Sequence, residues 1–387
     1  MKRFSADLIY TLEGEPIENG IVVTDDNGKI LAVTDEKALL DPNIERFSGV
    51  IVPGFVNAHC HLELSHLHKK IEKGTGLIPF IKNVIHQRKE NDENVIEAMK
   101  KADQEMFDNG IVAVGDISNQ SISANIKDNS KIMYHTFIEM IGFDSSRAGI
   151  VMQDAIAMKE MFNTSTSITP HAPYSLSKEL LKNLNKYCRK GENLISIHNQ
   201  ENDDENFLFR YKDGPFMDFF KEMNINVDSF KAQSKNSLQT IIPFLPDNQQ
   251  ILFVHNTYTS LKDMYFTKRF NIKLNWCFCP NANLYIENKL PTFDFFKHND
   301  YPITIGTDSL ASNNQLCVLS EMKLLQKNID FVSFSDILEW ATINGAKFLG
   351  FEHDLGTIAK GKTPGLNLIS NLKNGKLTDQ SVVKKLI

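Results

Sequence analysis

The chain is short of several things, and each shortage excludes a class of protein. No apolar run approaches the roughly 20 residues that a membrane-crossing helix needs, so no membrane role is expected. The opening Met1-Lys2-Arg3-Phe4-Ser5-Ala6-Asp7 lacks the apolar stretch of a signal peptide, and a cytoplasmic location is the expectation. Charge of one sign is not concentrated either: 42 Lys and Arg against 48 Asp and Glu leave a mild net charge of −6. A surface for nucleic acid wants a basic patch, so no nucleic-acid partner is expected. Cysteine is sparse and odd in number; Cys60, Cys188, Cys277, Cys279 and Cys317 show no paired framework and fit reduced thiols. Cys277 and Cys279 are spaced Cys-x-Cys with no second pair, and they read as ordinary strand cysteines. Also missing is the Gly-rich phosphate turn that follows the first strand of a doubly wound dinucleotide-binding sheet.

What is present is an ample core. With 387 residues, 42% of them hydrophobic, the chain suffices for one large barrel plus a smaller module, or for two to three ordinary domains. Residues 1–52 alternate apolar and polar positions between turn signals at Glu13-Gly14, Asn19-Gly20 and Asn27-Gly28, which predicts short antiparallel strands. From residue 53 short β-branched runs alternate with longer helical patterns such as 78–107 and 177–189. The predicted strands are 51–58, 111–117, 132–139, 166–170, 194–198, 251–255, 273–279 and 302–307. Eight strands with helical crossovers predict an α/β fold, a (β/α)8 TIM barrel over 53–354. The last residues turn strand-like again. A small β-sandwich domain built from both chain ends, 1–52 plus 355–387, is the expectation.

The informative pair is His59 and His61, at the end of Ile51-Val52-Pro53-Gly54-Phe55-Val56-Asn57-Ala58. Residues i and i+2 of a strand share a face, and two imidazoles aimed together make half a metal site. Taken alone, such a pair more often fits a surface or hydrogen-bonded core position. The other strand ends decide the matter. The fourth predicted strand ends in His171, the fifth in His198 with Glu201 three residues on, the sixth in His255 and the eighth in Asp308. Five of the eleven histidines thus fall at C-terminal strand ends, where βα barrels build their active sites. Taken singly, His198 fits a core position and Asp308 a helix cap. His66, His68, His86, His135, His298 and His353 read as surface or packing residues.

Together, Pro53-Gly54-Phe55-Val56-Asn57-Ala58-His59-Cys60-His61, His198-x-x-Glu201, His255 and Gly306-Thr307-Asp308 resemble the amidohydrolase superfamily. The similarity is to its deaminase and chlorohydrolase branch, and it extends through Gly356, Gly361-Lys362 and Pro364-Gly365. His61-Leu62-Glu63-Leu64-Ser65, His171-Ala172-Pro173-Tyr174-Ser175 and Gly214-Pro215-Phe216-Met217-Asp218-Phe219-Phe220 look most like the aminodeoxyfutalosine deaminase group, which deaminates an adenine-containing nucleoside in an alternative menaquinone route. The resemblance implies that His59, His61, His198 and Asp308 hold one divalent metal, zinc before iron. It implies that Glu201 shuttles protons and that His255 orients the attacking water. The binuclear branch uses a carbamylated lysine where this chain has His171 or His198, so a single metal is expected.

The implied reaction is hydrolytic deamination of an amino-substituted aromatic heterocycle. The alternative is a chlorohydrolase, or a hydrolase of cyclic amides or guanine-type rings, because the same machinery would expel chloride. The expected partner is a small heterocyclic substrate, and a homodimer is the default assembly. His171, Ser309, Glu139 and Arg147 are candidate substrate contacts, with Arg147 or Arg210 opposite a substrate carboxylate. The crossover 202–250 carries Phe207, Phe209, Tyr211, Phe216, Phe219 and Phe220. It reads either as a lid over a flat ligand or as a helical hairpin packing its own aromatics.

Overall fold

The computed structural model describes residues 1–34, 43–296 and 301–387; His298 lies outside the described residues. Eight parallel strands occupy the middle of the chain: β1 (Phe55–Cys60), β2 (Ile111–Ser118), β3 (Met133–Met140), β4 (Ser165–Pro170), β5 (Ile195–Asn199), β6 (Gln250–His255), β7 (Lys273–Phe278) and β8 (Ile303–Ile305). They form two four-stranded sheets, each in sequence order, β1 to β4 and β5 to β8. The sheets meet at both margins. His198 N–H donates to His171 C=O at 2.9 Å, and Asp308 N–H donates to His59 C=O at 3.1 Å, where Cys60 and Asp308 make a parallel bridge.

Every residue of β1 and β2 is buried, as expected for parallel strands covered on both faces. Alternate residues go opposite ways. Val56, Ala58, Ala113, Phe137, Leu252, Val254 and Cys277 pack into one cluster. Phe55, Val114, Ile138, Ile197, Phe253 and Trp276 join the larger cluster that includes the helices. The helical pattern over 78–107 resolves into two helices, Leu77–Gln87 and Asp92–Asp108, broken where the Asn91 side chain caps the second by accepting the Glu93 N–H at 2.8 Å. Helix Lys178–Cys188 starts where expected, with the Ser177 hydroxyl accepting the Leu180 N–H.

The two chain ends share one seven-stranded mixed sheet. Its order is Val382–Lys385, Leu366–Ser370, Ile44–Pro53, Lys2–Ile9, Ile21–Thr24 and Ile30–Thr34, with Ile17–Glu18 paired to Lys2–Ile9. Two expectations need correction. Ile44–Pro53 runs parallel to Lys2–Ile9, not antiparallel. The predicted strand 51–58 is in fact two strands, since 44–53 belongs to the terminal sheet and β1 begins at Phe55. Gly54 makes the junction. A Cβ there would lie 2.3 Å from Val112 Cγ1 and 2.6 Å from the Pro364 carbonyl oxygen, so the chain crosses between sheets only at a residue without one.

The crossover 202–250 is largely helical, with helices Asp203–Tyr211, Pro215–Glu222 and Ser237–Ile241. Phe209, Phe216, Phe219 and Phe220 are buried, while Phe207 and Tyr211 face solvent. The segment thus packs most of its aromatics inward, and Phe219 and Phe220 also reach the central cavity. No helix among the described residues is long and apolar enough to cross a membrane.

Candidate active site

Side chains from six strand ends converge on one point. His59 lies on β1 and His61 one residue beyond it, and their Nε2 atoms are 3.2 Å apart. Asp308, past β8, places Oδ1 3.7 Å from His59 Nε2 and 3.5 Å from His61 Nε2. His198 on β5 brings a ring nitrogen within 4.8 Å of both histidines of β1. Its Nδ1 lies 3.0 Å from His255 Nε2, and His255 Nε2 lies 3.6 Å from Glu201 Oε2. Glu139, on β3, has Oε1 3.5 Å from His198 Nε2. His171 follows β4 and accepts or donates at Nδ1 with the Ser175 hydroxyl at 2.8 Å. All of these groups are buried except His171, which is half-buried.

The backbone is strained where the side chains gather. Gln200 (φ 45°), His255 (72°), Asn256 (60°) and Asp308 (56°) adopt left-handed conformations, each at a cost of about 1–3 kcal/mol for a residue with a side chain. Buried hydrogen bonds hold them there. Asn256 N–H donates to Asn199 C=O at 3.0 Å and Tyr258 N–H to Gln200 C=O at 2.8 Å. The Asn57 amide pairs twice with Thr307, accepting its N–H at 3.0 Å and donating to its hydroxyl at 2.7 Å. The Ser312 hydroxyl donates to Asp308 Oδ2 at 2.5 Å. Gly306 lets the end of β8 pack close against β1, for a Cβ there would lie 2.8 Å from His59 Cβ.

Electrostatics divide the groups by task. Burial, then the neighbouring imidazoles, push His59 well below its usual range, and burial chiefly brings His255 to about 3 and His171 to about 4. Rings held neutral are the form that coordinates a metal. Burial works against the Asp308 charge, but the facing histidines and the Ser312 hydroxyl outweigh it and hold its carboxyl below the usual range. Glu139 follows the same balance, with His171 and His198 overcoming burial. Glu201 goes the other way. Burial, reinforced by the Asp308, Glu287 and Glu205 charges, pushes its carboxyl well above the ordinary range. Carboxyls set apart in this way suit acid and base roles.

The donor set fits a divalent cation. His59, His61 and His198 aim ring nitrogens at one another, His198 Nε2 has no hydrogen-bond partner although buried, and a carboxylate completes the group. Three imidazoles and one carboxylate suit zinc or iron.

Above this floor opens a cavity of about 550 Å³. Its walls are apolar, with Leu77, Phe80, Ile81, Phe143, Phe219 and Phe220, and its polar groups include Asn119, Arg88, Arg147 and Ser309. Of the sequence-predicted contacts, His171, Glu139, Arg147 and Ser309 all line it. Arg210 does not: its Nε donates to Asn236 Oδ1 at 2.7 Å, away from the cavity. Arg88 was missed. It follows helix Leu77–Gln87, inside a stretch whose periodicity runs through it unbroken. Asn119 was missed as well, and its amide donates to Glu139 Oε2 at 2.8 Å. Among the remaining histidines, His135 is buried between the Ser165 and Ser167 hydroxyls, and His353 is exposed.

The sequence model described as the amidohydrolase family matches residues 50–386. The chain belongs to the amidohydrolase family. As an amidohydrolase it is a hydrolase acting on carbon–nitrogen bonds. It is 26% identical over 351 residues to an adenosine deaminase of Helicobacter pylori, covering 88% of this chain and 83% of that protein. It is 27% identical over 341 residues to an aminodeoxyfutalosine deaminase of Nitratiruptor, covering 83% and 79%. Its fold is that of the H. pylori aminofutalosine deaminase solved with methylthio-coformycin, at a TM-score of 0.81 and 22% identity over 98% of this chain and 94% of that one. The resemblance read from the motifs is thereby borne out.

Proposed function

We propose that this amidohydrolase deaminates an adenine nucleoside, replacing the ring amino group with oxygen from water and releasing ammonia, and that aminodeoxyfutalosine is the substrate. The reading rests on a frame in which the eight parallel strands close as a (β/α)8 barrel over 53–354. Residues 1–52 and 355–387 then form a composite β domain of sandwich type beside it. His59, His61, His198 and Asp308 would hold one divalent metal, zinc being the best match to the donors. When bound, such an ion supplies the Lewis acidity that makes water nucleophilic near neutral pH.

The observation that carries the proposal is the pairing of a metal-type donor set with Glu201, a buried carboxyl raised well above its usual range on the rim of the same cluster. A carboxyl kept protonated can donate to the ring nitrogen beside the amino-bearing carbon, which makes that carbon electrophilic. Asp308 and His255 would take the proton of the attacking water. Glu201, reprotonated by the hydroxyl of the adduct, would then pass a proton to the departing amine as the carbonyl forms, and the proton taken from the water would return to Glu201. General acid–base transfer of this kind contributes about 10²–10⁴-fold.

The cavity supports the finer choice of substrate. Its aromatic and aliphatic walls suit a purine and an aryl group, and Arg88 and Arg147 in its lining offer cations to a substrate carboxylate. Glu139 Oε1, buried without a hydrogen-bond partner, would accept from a sugar hydroxyl. His171 and Ser309 would flank the nucleoside. The test is ammonia release by the zinc-loaded enzyme from adenosine, 5′-deoxyadenosine, aminodeoxyfutalosine, guanine and cytosine. The expected result is fastest release from aminodeoxyfutalosine. Chloride release from a chlorinated ring without ammonia release from any nucleoside overturns the deaminase reading.

A further inference from the structure

An ion pair lies beside the metal-type cluster without lining its cavity. Asp116, on β2, and Lys127, in helix Ala124–Asp128, are both fully buried, with Oδ2 and Nζ 2.6 Å apart. Lys127 Nζ also donates to the Ser118 hydroxyl at 2.8 Å and to the Thr136 hydroxyl at 3.2 Å. Neither charged residue borders the substrate cavity. Burying two charges is expensive, and apolar residues of similar volume often serve stability as well or better. The pair therefore calls for a role other than holding the core together.

The other oxygen of Asp116 points to that role. Oδ1 accepts the Leu62 N–H at 2.7 Å. Leu62 opens the 3-10 turn Leu62–Leu67, and its cap residue is His61, whose side chain makes no capping hydrogen bond. The first N–H groups of a helical turn have no partner within it, and this one is satisfied from the neighbouring strand. Asp116 is in register with Cys60 on one side of β1, while Asp308 bridges Cys60 on the other. The His59-Cys60-His61 segment is thus clamped between two buried aspartates. One faces the cluster, and the other fixes the peptide that sets the direction of the His61 ring. Glu63 adds a further tie in the same turn, its carboxylate accepting the Asn119 and Gln120 N–H groups at 3.1 Å each.

We propose that Asp116, neutralised by Lys127, is a positioning residue for the metal: through the Leu62 N–H it holds His61 in coordinating orientation before any ion arrives. The inference rests on the metal reading given above. Groups that orient a ligand from outside typically carry about 10–100-fold in metal affinity.

Zinc affinity is measured by chelator competition in the wild type and two double variants, with the melting temperature of each apoprotein recorded. Asp116→Asn with Lys127→Met removes both charges and keeps an oxygen for the Leu62 N–H. Asp116→Leu with Lys127→Met removes the acceptor as well. The expected result is affinity near wild type for the first pair and about 10–100-fold weaker binding for the second. Equal affinity of the second pair and the wild type overturns the proposal, as does an equal loss in both. Should the second pair fail to fold, hydrogen exchange at the Leu62 amide of the wild type decides. Protection that is the same with and without zinc supports an orientation set in advance, and free exchange in the apoprotein refutes it. Wild-type protein that binds no zinc overturns the metal reading itself, a result distinct from both.

Discussion

The floor and the wall of the cavity are built by different means. Floor residues come from strand ends: His59, His61, His198, His255 and Asp308 are all buried, and each is pinned by a strained backbone or a paired peptide. Wall residues come from helices and the loops between them, among them Arg88, Arg147 and Phe219, and Ile85, Ile141 and Met223 at the rim remain exposed. The floor has one arrangement because parallel strands give each end a fixed neighbour. The wall has no such ladder, and its shape depends on how helices pack. On the proposed function, chemistry belongs to the first region and choice of substrate to the second.

The largest effect that would sharpen this division is at the floor. Glu201→Gln is expected to keep zinc while kcat falls by about 10²–10⁴-fold or more, read by metal analysis alongside ammonia release. Near-normal turnover in that variant would remove Glu201 from the proton transfer. Asp308→Ala should lose both metal and rate, because the variant takes one of four proposed donors and the proton acceptor together. Unchanged zinc stoichiometry would show that Asp308 is no ligand.

Wall variants should behave otherwise. Arg88→Met and Arg147→Met are each expected to raise KM for a carboxylate-bearing nucleoside by about 10–100-fold, the loss of one charged hydrogen bond, and to leave adenosine kinetics nearly unchanged. A fall in kcat for both substrates would break the distinction, since it would place an arginine in the chemistry. The smallest effect belongs to a residue outside both regions. Burial foremost, then Lys159 and Lys127, lower His135 from 6.5 to about 3. The unfolded chain therefore takes up a proton that the folded state refuses. Stability tied to His135 is present in full above pH 6.5 and is lost as the pH falls towards 3. Denaturant titrations between pH 6.5 and 5 should show a shallower decline in His135→Gln than in the wild type. Equal slopes would mean that His135 is accessible to protons.

Legibility in the sequence follows the same boundary. The eight parallel strands were readable to within two or three residues, because β-branched runs between amphipathic stretches leave little choice of element. The exception was 51–58, where one apolar run crosses from the terminal sheet into β1 and only the close approach at Gly54 divides it. Positions at strand ends could be named because five histidines and an aspartate gather at those ends, although each taken singly fits a core, surface or cap position. Arg88 could not, since a cation just past a helix looks the same whether it faces water or a cavity. Arg210 illustrates the converse: as a cation it was a candidate partner for a substrate carboxylate, yet packing turned it to Asn236. Nor did any motif announce Asp116 and Lys127, whose partners lie on other segments.

By itself the order of residues determined the strand ladder, the donors at its ends and the family chemistry they imply, because side-chain alternation and strand termini are local properties. Tertiary structure alone decided which arginines face the cavity, how far the aromatic crossover reaches into it, and which buried carboxylate holds the Leu62 peptide. Those depend on distances between segments far apart in the chain, and no local periodicity encodes them.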